Sequence, residues 1–138
     1  MAATSTVRYL GGLRTECAHL RSGAVIRTDA PVDNHGKGEA FSPTDLFATS
    51  LAACAMTIMG IYGEGHDIDV TGMTAEVQKT MSQEPPRRVA SIDVTVTMPD
   101  REYSDRARRS LEQAALTCPV HKSLHPDIKQ NIILKWAK

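Results

Sequence analysis

The hydrophobic pattern in the first third of the chain predicts short β-strands. Three strand-like runs, TVRYL, LRTECAHL and AVIRTDA, are separated by the turn-forming pairs Gly11–Gly12 and Ser22–Gly23. A polar segment, PVDNHGKGEAF, follows and is predicted to form a loop. We therefore expect strands joined by tight turns, followed by a longer connection.

A helix start follows at the sequence SPTD. Ser42 is suited to cap the helix, Pro43 to occupy its first position, and Asp45 to complete a capping box. Apolar residues then recur at steps of four and three, which predicts one stripe on the core side of the helix: Phe47, Leu51, Cys54, Ile58 and Ile61. Gly63 and Gly65 predict the end of the helix.

The second half of the chain predicts two strands, a helix and a closing strand. DVTGMTAEVQKTM and the strictly alternating RVASIDVTVTM are the strands, and Pro85–Pro86 is the expected connection. A helix from about Ser104 carries apolar residues on one face, namely Ala107, Leu111, Ala114 and Cys118. Pro119 is suited to open a short further turn, and IKQNIILKW is the closing strand. The predicted order, βββαββαβ, belongs to the α+β class.

Composition narrows the class of protein. A chain of 138 residues fits a single domain over 1–138, and equal numbers of basic and acidic residues, 16 each, give no reason to expect nucleic-acid binding. No apolar run approaches the roughly 18 residues of a membrane span, and no secretory signal is visible. Three cysteines do not make a disulfide framework, so we expect a cytoplasmic protein. Aromatic residues are only 4%, which predicts a core of small aliphatic groups that a partner chain helps to complete.

Two cysteines are candidates for chemistry. Either one alone is more simply a small core hydrophobe, and Cys17 is assigned a structural role. As a pair, Cys54 and Cys118 suit peroxide chemistry, in which a thiolate becomes a sulfenic acid and a second thiol condenses with it to a disulfide. Such a thiolate needs a fixed positive charge, which arginine supplies. Arg14, Arg21 and Arg27 are the candidates, and sequence spacing does not choose among them.

A metal site is the alternative from the residues alone. Cys118, His121 and His125 are spaced so that a continuous helix would place them on one face, and Cys54 or His35 is available as a fourth ligand. Two histidines in a lysine-bearing turn are more often solvated surface, and structural zinc usually needs four recognisable ligands. We therefore expect neither a metal nor a cofactor.

Two segments together resemble a known family. SPTDLFATSLAACAMTIMGI and LTCPVHKSL, in this order and spacing, are similar to the OsmC family of osmotically inducible and organic-hydroperoxide-resistance proteins, and GGLR near the start resembles the family's GGR. The resemblance covers nearly the whole chain. It implies an intertwined homodimer in which sheets wrap two central helices and the active site lies at the interface.

The resemblance also implies an activity. The protein would reduce organic hydroperoxides, and hydrogen peroxide less well, in an oxidative stress response. Cys54 would be the peroxidatic cysteine, Cys118 the resolving cysteine, and Arg14 the arginine that holds the thiolate. The reductant would be a dithiol or a lipoylated protein.

The chain departs from the family pattern at one position. The family's peroxidases usually carry a glutamate directly after the proline that opens the helix, where this chain has Thr44. Asp45 comes one place later, about 100° further around the helix, and is more simply a capping residue. Glu39 in the preceding loop is the other candidate for the acid that orients Arg14. The departure favours an alternative function, either a low-turnover redox sensor or a protein that binds a small apolar ligand.

Overall fold

The computed structural model describes every residue of the chain except the first and the last. Over these residues, the observed order βββαββααβ confirms the predicted α+β class and adds a five-residue helix where the sequence predicted a turn. The elements are β1 Ser5–Gly11, β2 Arg14–His19, β3 Val25–Asp29, α1 Pro43–Gly65, β4 Thr74–Met81, β5 Val89–Thr97, α2 Asp105–Ala115, α3 Pro119–Ser123 and β6 Lys129–Lys135. A 3-10 turn, Val32–Asn34, precedes α1.

The chain divides into two compact units, one ending at Phe47 and the other beginning at Ala48. The expectation of a single domain stays a prediction. The first unit contains an antiparallel sheet in the order β1-β2-β3. Gly11 and Gly12 turn the chain between β1 and β2 with φ values of 84° and 62°, which glycine adopts without the penalty that a side chain brings.

One face of this sheet carries exposed apolar side chains. Val7, Cys17 and Ile26 are paired across the three strands, so they lie in one row on the same face. Val7 is 65% exposed and Ile26 is 50% exposed, and the neighbouring Tyr9 is 64% exposed. We call Val7, Tyr9, Cys17 and Ile26 the apolar row. An uncovered row of this kind is typical of a surface that another chain or element covers.

The capping box at the start of α1 is confirmed. The Asp45 N–H donates to Oγ of Ser42, and the Ser42 N–H donates to the Asp45 carboxylate, both at 3.0 Å. The helix continues through Gly63 and ends at Gly65. A side chain at Gly63 would collide with the carbonyl oxygen of Ile68, so glycine is required where the chain folds back on the helix.

The predicted core stripe of α1 is wrong. Of its members only Leu51 is fully buried, whereas Phe47 and Ile61 are 38% and 61% exposed. The buried face is rotated toward small residues: Ala48, Leu51, Ala52, Ala55, Met59 and Gly63. The periodicity identified the face of α1 that carries large apolar side chains, but several alanines make up the face that contacts the core. The larger side chains of Phe47 and Ile61 therefore remain available for other contacts.

The second unit packs α1 and α2 with the sheet β4-β5-β6. The alternation predicted for β5 is confirmed, because Ile92, Val94 and Val96 are all buried. Strand β5 pairs with β4 in antiparallel and with β6 in parallel. A parallel pair needs a crossover connection, and α2 and α3 supply it.

The predicted position of Cys118 on α2 is wrong. Helix α2 ends at Ala115, and Cys118 is the residue that caps α3, with extended backbone angles of φ −68° and ψ 146°. The cause is Pro119, because proline disfavours helical angles in the residue before it. The prediction that Cys118 points inward is confirmed, since its exposure is 0%.

Helix α1 bears on the expectation that no segment spans a membrane, which stays a prediction. The helix has 23 residues and a mean hydropathy of 1.6, so it is long and apolar enough to cross a membrane by length and composition only. Small polar residues, such as Thr49, Ser50 and Thr57, interrupt its apolar run. A buried core helix passes the same test, and only a third of this window, 33%, is buried.

Candidate functional site

The thiols of Cys54 and Cys118 lie within hydrogen-bonding reach of each other. Cys54 is on α1, and Cys118 stands at the start of α3 in the same compact unit. Both thiols are free. Cys54 is partly exposed, whereas Cys118 is completely buried, so a reagent from solvent reaches Cys54 first.

Two backbone amides are directed at the Cys118 sulfur. The His121 N–H donates to Sγ at 3.3 Å, and the Val120 N–H also donates to it. These are the first two amides available, because Pro119 has no N–H. A sulfur that accepts amide hydrogen bonds has its thiolate form stabilised.

Burial and these amides have opposite effects on the pKa of Cys118. Burial raises the pKa of the Cys118 thiol, and the hydrogen bond and negative charge of Cys54 raise it further, while the amides of His121 and Val120 lower it. The net effect is a raised pKa of Cys118. Burial therefore favours the protonated form of the Cys118 thiol.

The His121 side chain is held by β6. Its Nδ1 pairs with Oε1 of Gln130 at 2.5 Å, and Nε2 of Gln130 donates to the His121 carbonyl oxygen at 3.2 Å. His125 instead accepts the Asp127 N–H through its own Nδ1 at 3.0 Å. Within the described part of the chain, no three histidine, cysteine or acidic side chains converge as metal ligands. Helix α3 has only five residues, and Cys118, His121 and His125 are not brought together as one ligand group.

Arg14 is part of an ion-pair cluster in the first unit. Its Nε and Nη2 donate to the two carboxylate oxygens of Asp29 at 2.7 and 2.9 Å, and Nη2 also donates to Glu39 at 2.9 Å. Asp29 is fully buried, whereas the Glu39 side chain is 68% exposed. The Glu39 N–H donates to Asp29 at 3.1 Å, which binds the loop to the same carboxylate. Two acids therefore fix the orientation of one guanidinium.

The contact between Arg14 and Asp29 favours the ionised form of both groups. The hydrogen bond from Arg14 is the largest cause of the lowered pKa of Asp29. The bond to Asp29 likewise raises the pKa of Arg14 above its usual value. Among the described residues, the bonds to these two acids come from Nε and Nη2, and none comes from Nη1.

The other candidate residues have different surroundings. Arg27 makes only a 3.5 Å pair with Glu16 and its side chain is 58% exposed, and Arg21 is also exposed. Asp45 binds the Ser42 amide in the capping box, and Thr44 Oγ1 lies 3.2 Å from Ser42 Oγ. Glu39 does contact Arg14, as the sequence analysis considered.

Sequence reasoning missed Asp29. The signal was present in the hairpin, because a tight turn at Ser22–Gly23 sets the register of β2 and β3. In that register Arg14 pairs with Asp29, just as Cys17 pairs with Ile26. The candidates named from the sequence, Glu39 and Asp45, both lie near the start of α1, where the family pattern has its acid.

Comparison with known proteins identifies the family to which the chain is similar. A family model described as OsmC-like protein matches residues 36–132. A structure from Psychrobacter arcticus 273-4, to which an osmotic stress induced and detoxification response role has been assigned, is 52% identical, with a TM-score of 0.93 and coverage of 98% of this chain and 97% of that one.

More distant structures share the fold. The organic hydroperoxide resistance protein OsmC from Legionella pneumophila is 14% identical, with a TM-score of 0.74 and coverage of 98% of each chain. An OsmC-like protein from Mycoplasma pneumoniae is 15% identical, with a TM-score of 0.80 and coverage of 100% of this chain and 99% of that one. A comparison with curated proteins found no match. The matched family model and the similarity to the Psychrobacter structure together show that this chain belongs to the OsmC-like family.

Proposed function

We propose that the protein is a thiol-dependent peroxidase that reduces organic hydroperoxides. The observation that carries the proposal is the thiol pair, in which a partly exposed Cys54 lies beside a completely buried Cys118. That difference in exposure suits two successive roles, because a peroxide from solvent can reach Cys54 but not Cys118. Family membership supports a redox role, since relatives of this fold include proteins named for organic hydroperoxide resistance.

The proposed reaction has two steps. The Cys54 thiolate attacks the distal peroxide oxygen, the O–O bond breaks, and the alkoxide leaves as the alcohol after taking a proton. Cys54 is then a sulfenic acid. The Cys118 thiolate attacks the Cys54 sulfur, hydroxide leaves as water after protonation, and a disulfide remains. A dithiol or a lipoylated protein supplies the two electrons that restore both thiols.

Arg14 is the proposed source of positive charge for the first step. A fixed guanidinium lowers the pKa of a neighbouring thiol and stabilises the negative charge that develops on the peroxide oxygen. The bonds to Asp29 and Glu39 support this role, because they hold the group. Asp29 thus takes the place of the family glutamate that Thr44 replaces.

The assembly proposed for this activity is a homodimer with its active site at the interface. Two exposed apolar surfaces support it, namely the apolar row of the first sheet and the side of α1 that carries Phe47 and Ile61. Burial of such surfaces is the usual driving force for association. A cytoplasmic location belongs to the same proposal, because free thiols persist in a reducing compartment.

Mass spectrometry after a brief dose of an alkyl hydroperoxide tests the proposal. The wild type should form a disulfide between Cys54 and Cys118 within one chain, with Cys17 still free. Cys118→Ser should accumulate sulfenic acid at Cys54 and then its sulfinic and sulfonic forms, because capture is lost. Cys54→Ser should leave Cys118 unmodified. If both variants oxidise slowly and alike, or if the disulfide includes Cys17, the peroxidase proposal is wrong.

The alternative is a redox sensor of low turnover. The buried Cys118 favours it, because a thiol whose pKa is raised forms little thiolate and closes the disulfide slowly. Steady-state consumption of an alkyl hydroperoxide with dithiothreitol separates the two. Many turnovers per chain support the peroxidase, whereas a single rapid oxidation followed by little consumption supports the sensor.

A further inference from the structure

The position of Cys118 depends on a very short helix. Helix α3 has only five residues, and its internal bonds run from Lys122 N–H to the Cys118 carbonyl and from Leu124 N–H to the Val120 carbonyl, both at 3.1 Å. Helices this short are not stable on their own, because nucleation costs more than so few bonds return. The amide of His121 reaches the Cys118 sulfur only while this turn is formed. Contacts outside the helix therefore keep it in place, among them the packing of Val120 and Leu124 against the core.

Gln130 on β6 adds a polar contact at two points. Its Nε2 donates to the His121 carbonyl oxygen, so its Oε1 is left as the acceptor and Nδ1 of His121 carries the proton between them. The strand itself is well anchored, because Gln130 pairs in parallel with Ile92, whose side chain is fully buried. Gln130 thus joins the backbone and the ring of His121 to the central sheet.

We propose that Gln130 is a positioning residue for disulfide closure. It fixes His121, and His121 in turn keeps its amide on the Cys118 sulfur, so that Cys118 is held ready to attack the Cys54 sulfenic acid. The bonds that form and break are those of the second step above, and Gln130 exchanges no proton or electron in it. The inference rests on the proposed function. It states that Gln130 affects the rate of the second step and not the rate of the first.

The test compares two near-isosteric changes on the same strand. Gln130→Met keeps a long side chain and loses both bonds to His121. The matched control is Asn131→Leu, because Asn131 is exposed and donates to Asp93 at 2.8 Å on the opposite face of the sheet. Both are made in a Cys17→Ser background, so that only the proposed pair can react.

Quenched single-turnover oxidation with an alkyl hydroperoxide measures the two steps separately. Gln130→Met should slow the conversion of sulfenic acid to disulfide by about fivefold or more, because one neutral hydrogen bond corresponds to roughly fivefold and two are lost, and the first oxidation of Cys54 should change by less. More Cys54 should reach the sulfinic form at the same dose. Asn131→Leu should leave closure as in the background protein. Equal closure rates in Gln130→Met and the background, or equal slowing in both variants, would overturn the inference.

A second measurement does not depend on peroxide. With Cys17 and Cys54 both changed to Ser, thiolate absorbance in the ultraviolet reports Cys118 alone, and the His121 amide that donates to its sulfur is still present. Gln130→Met should raise the pKa of Cys118 in this protein, because the amide bonds to the sulfur are held less firmly. If the wild type forms no Cys54–Cys118 disulfide, the proposed function fails, and this titration still decides whether Gln130 holds Cys118. An unchanged titration would refute that role.

Discussion

Asp29→Asn tests whether the orientation of the Arg14 guanidinium matters for the reaction, or only its positive charge. Asp29 is fully buried and receives two bonds from the guanidinium, at 2.7 and 2.9 Å. Asparagine has the same shape but only one acceptor oxygen, and its amide nitrogen would face a donor of Arg14. Arg14 keeps its own charge in this variant, so only the hold on the group is weakened.

The expected effect follows from the bonds that are lost. A hydrogen bond between charged partners, converted to a rate, corresponds to roughly 10- to 100-fold. We expect Asp29→Asn to slow the oxidation of Cys54 by an amount in this range. Glu39→Gln is the matched control, since Glu39 makes one bond to the same nitrogen and its side chain is 68% exposed. Exposed ion pairs contribute little, so the expected slowing is under about fivefold.

The assay is the second-order rate of Cys54 oxidation by an alkyl hydroperoxide, measured in a single turnover. Thermal unfolding of each variant, with rates taken well below its transition, separates slow chemistry from loss of the fold. Equal or greater slowing in Glu39→Gln would refute the argument from burial. If Arg14→Ala slows oxidation but Asp29→Asn does not, the orientation of Arg14 is irrelevant to the reaction.

The remaining predictions concern the choice of arginine, the assembly and pH. Arg14→Ala should slow peroxide reduction by removing the positive charge proposed to stabilise the attacking thiolate, whereas Arg21→Ala and Arg27→Ala should do much less, and a larger effect from either in the same assay would reassign the site. Light scattering at micromolar concentration should give about twice the chain mass of 15.0 kDa, and a value near the monomer mass would exclude the dimer. Burial raises the pKa of Cys118, so stopped-flow rates of disulfide closure should rise with pH through and beyond the ordinary thiol range; a plateau near neutral pH would contradict this.

The sequence was most informative where local rules decide the outcome. The capping box of Ser42 and Asp45, the turns at Gly11–Gly12 and Ser22–Gly23, and the alternation of β5 all formed as predicted. Each depends on residues close together in the chain. The pairing of Cys54 with Cys118 was predicted in another way, because it came from the resemblance to a family and not from spacing.

The sequence failed where several segments compete for one position. The apolar stripe of α1 was misplaced because the buried side is made of alanines, whose small size carries little periodic signal. Cys118 was placed on α2 because its spacing fits that helix, but the proline after it imposes an extended backbone. Both errors assumed that the helical period continues unchanged.

The contacts of His121 and of Arg14 have one feature in common, and it has a functional consequence. In each case the side chain is held by a residue of another element, namely Gln130 of β6 for His121 and Asp29 of β3 for Arg14. Such contacts depend on the register of paired strands, which a search along the helices does not examine. The same contacts leave the reacting groups few alternative positions. If the proposed reaction is correct, the residues that determine its rate therefore include Gln130 and Asp29, neither of which the sequence motifs contain.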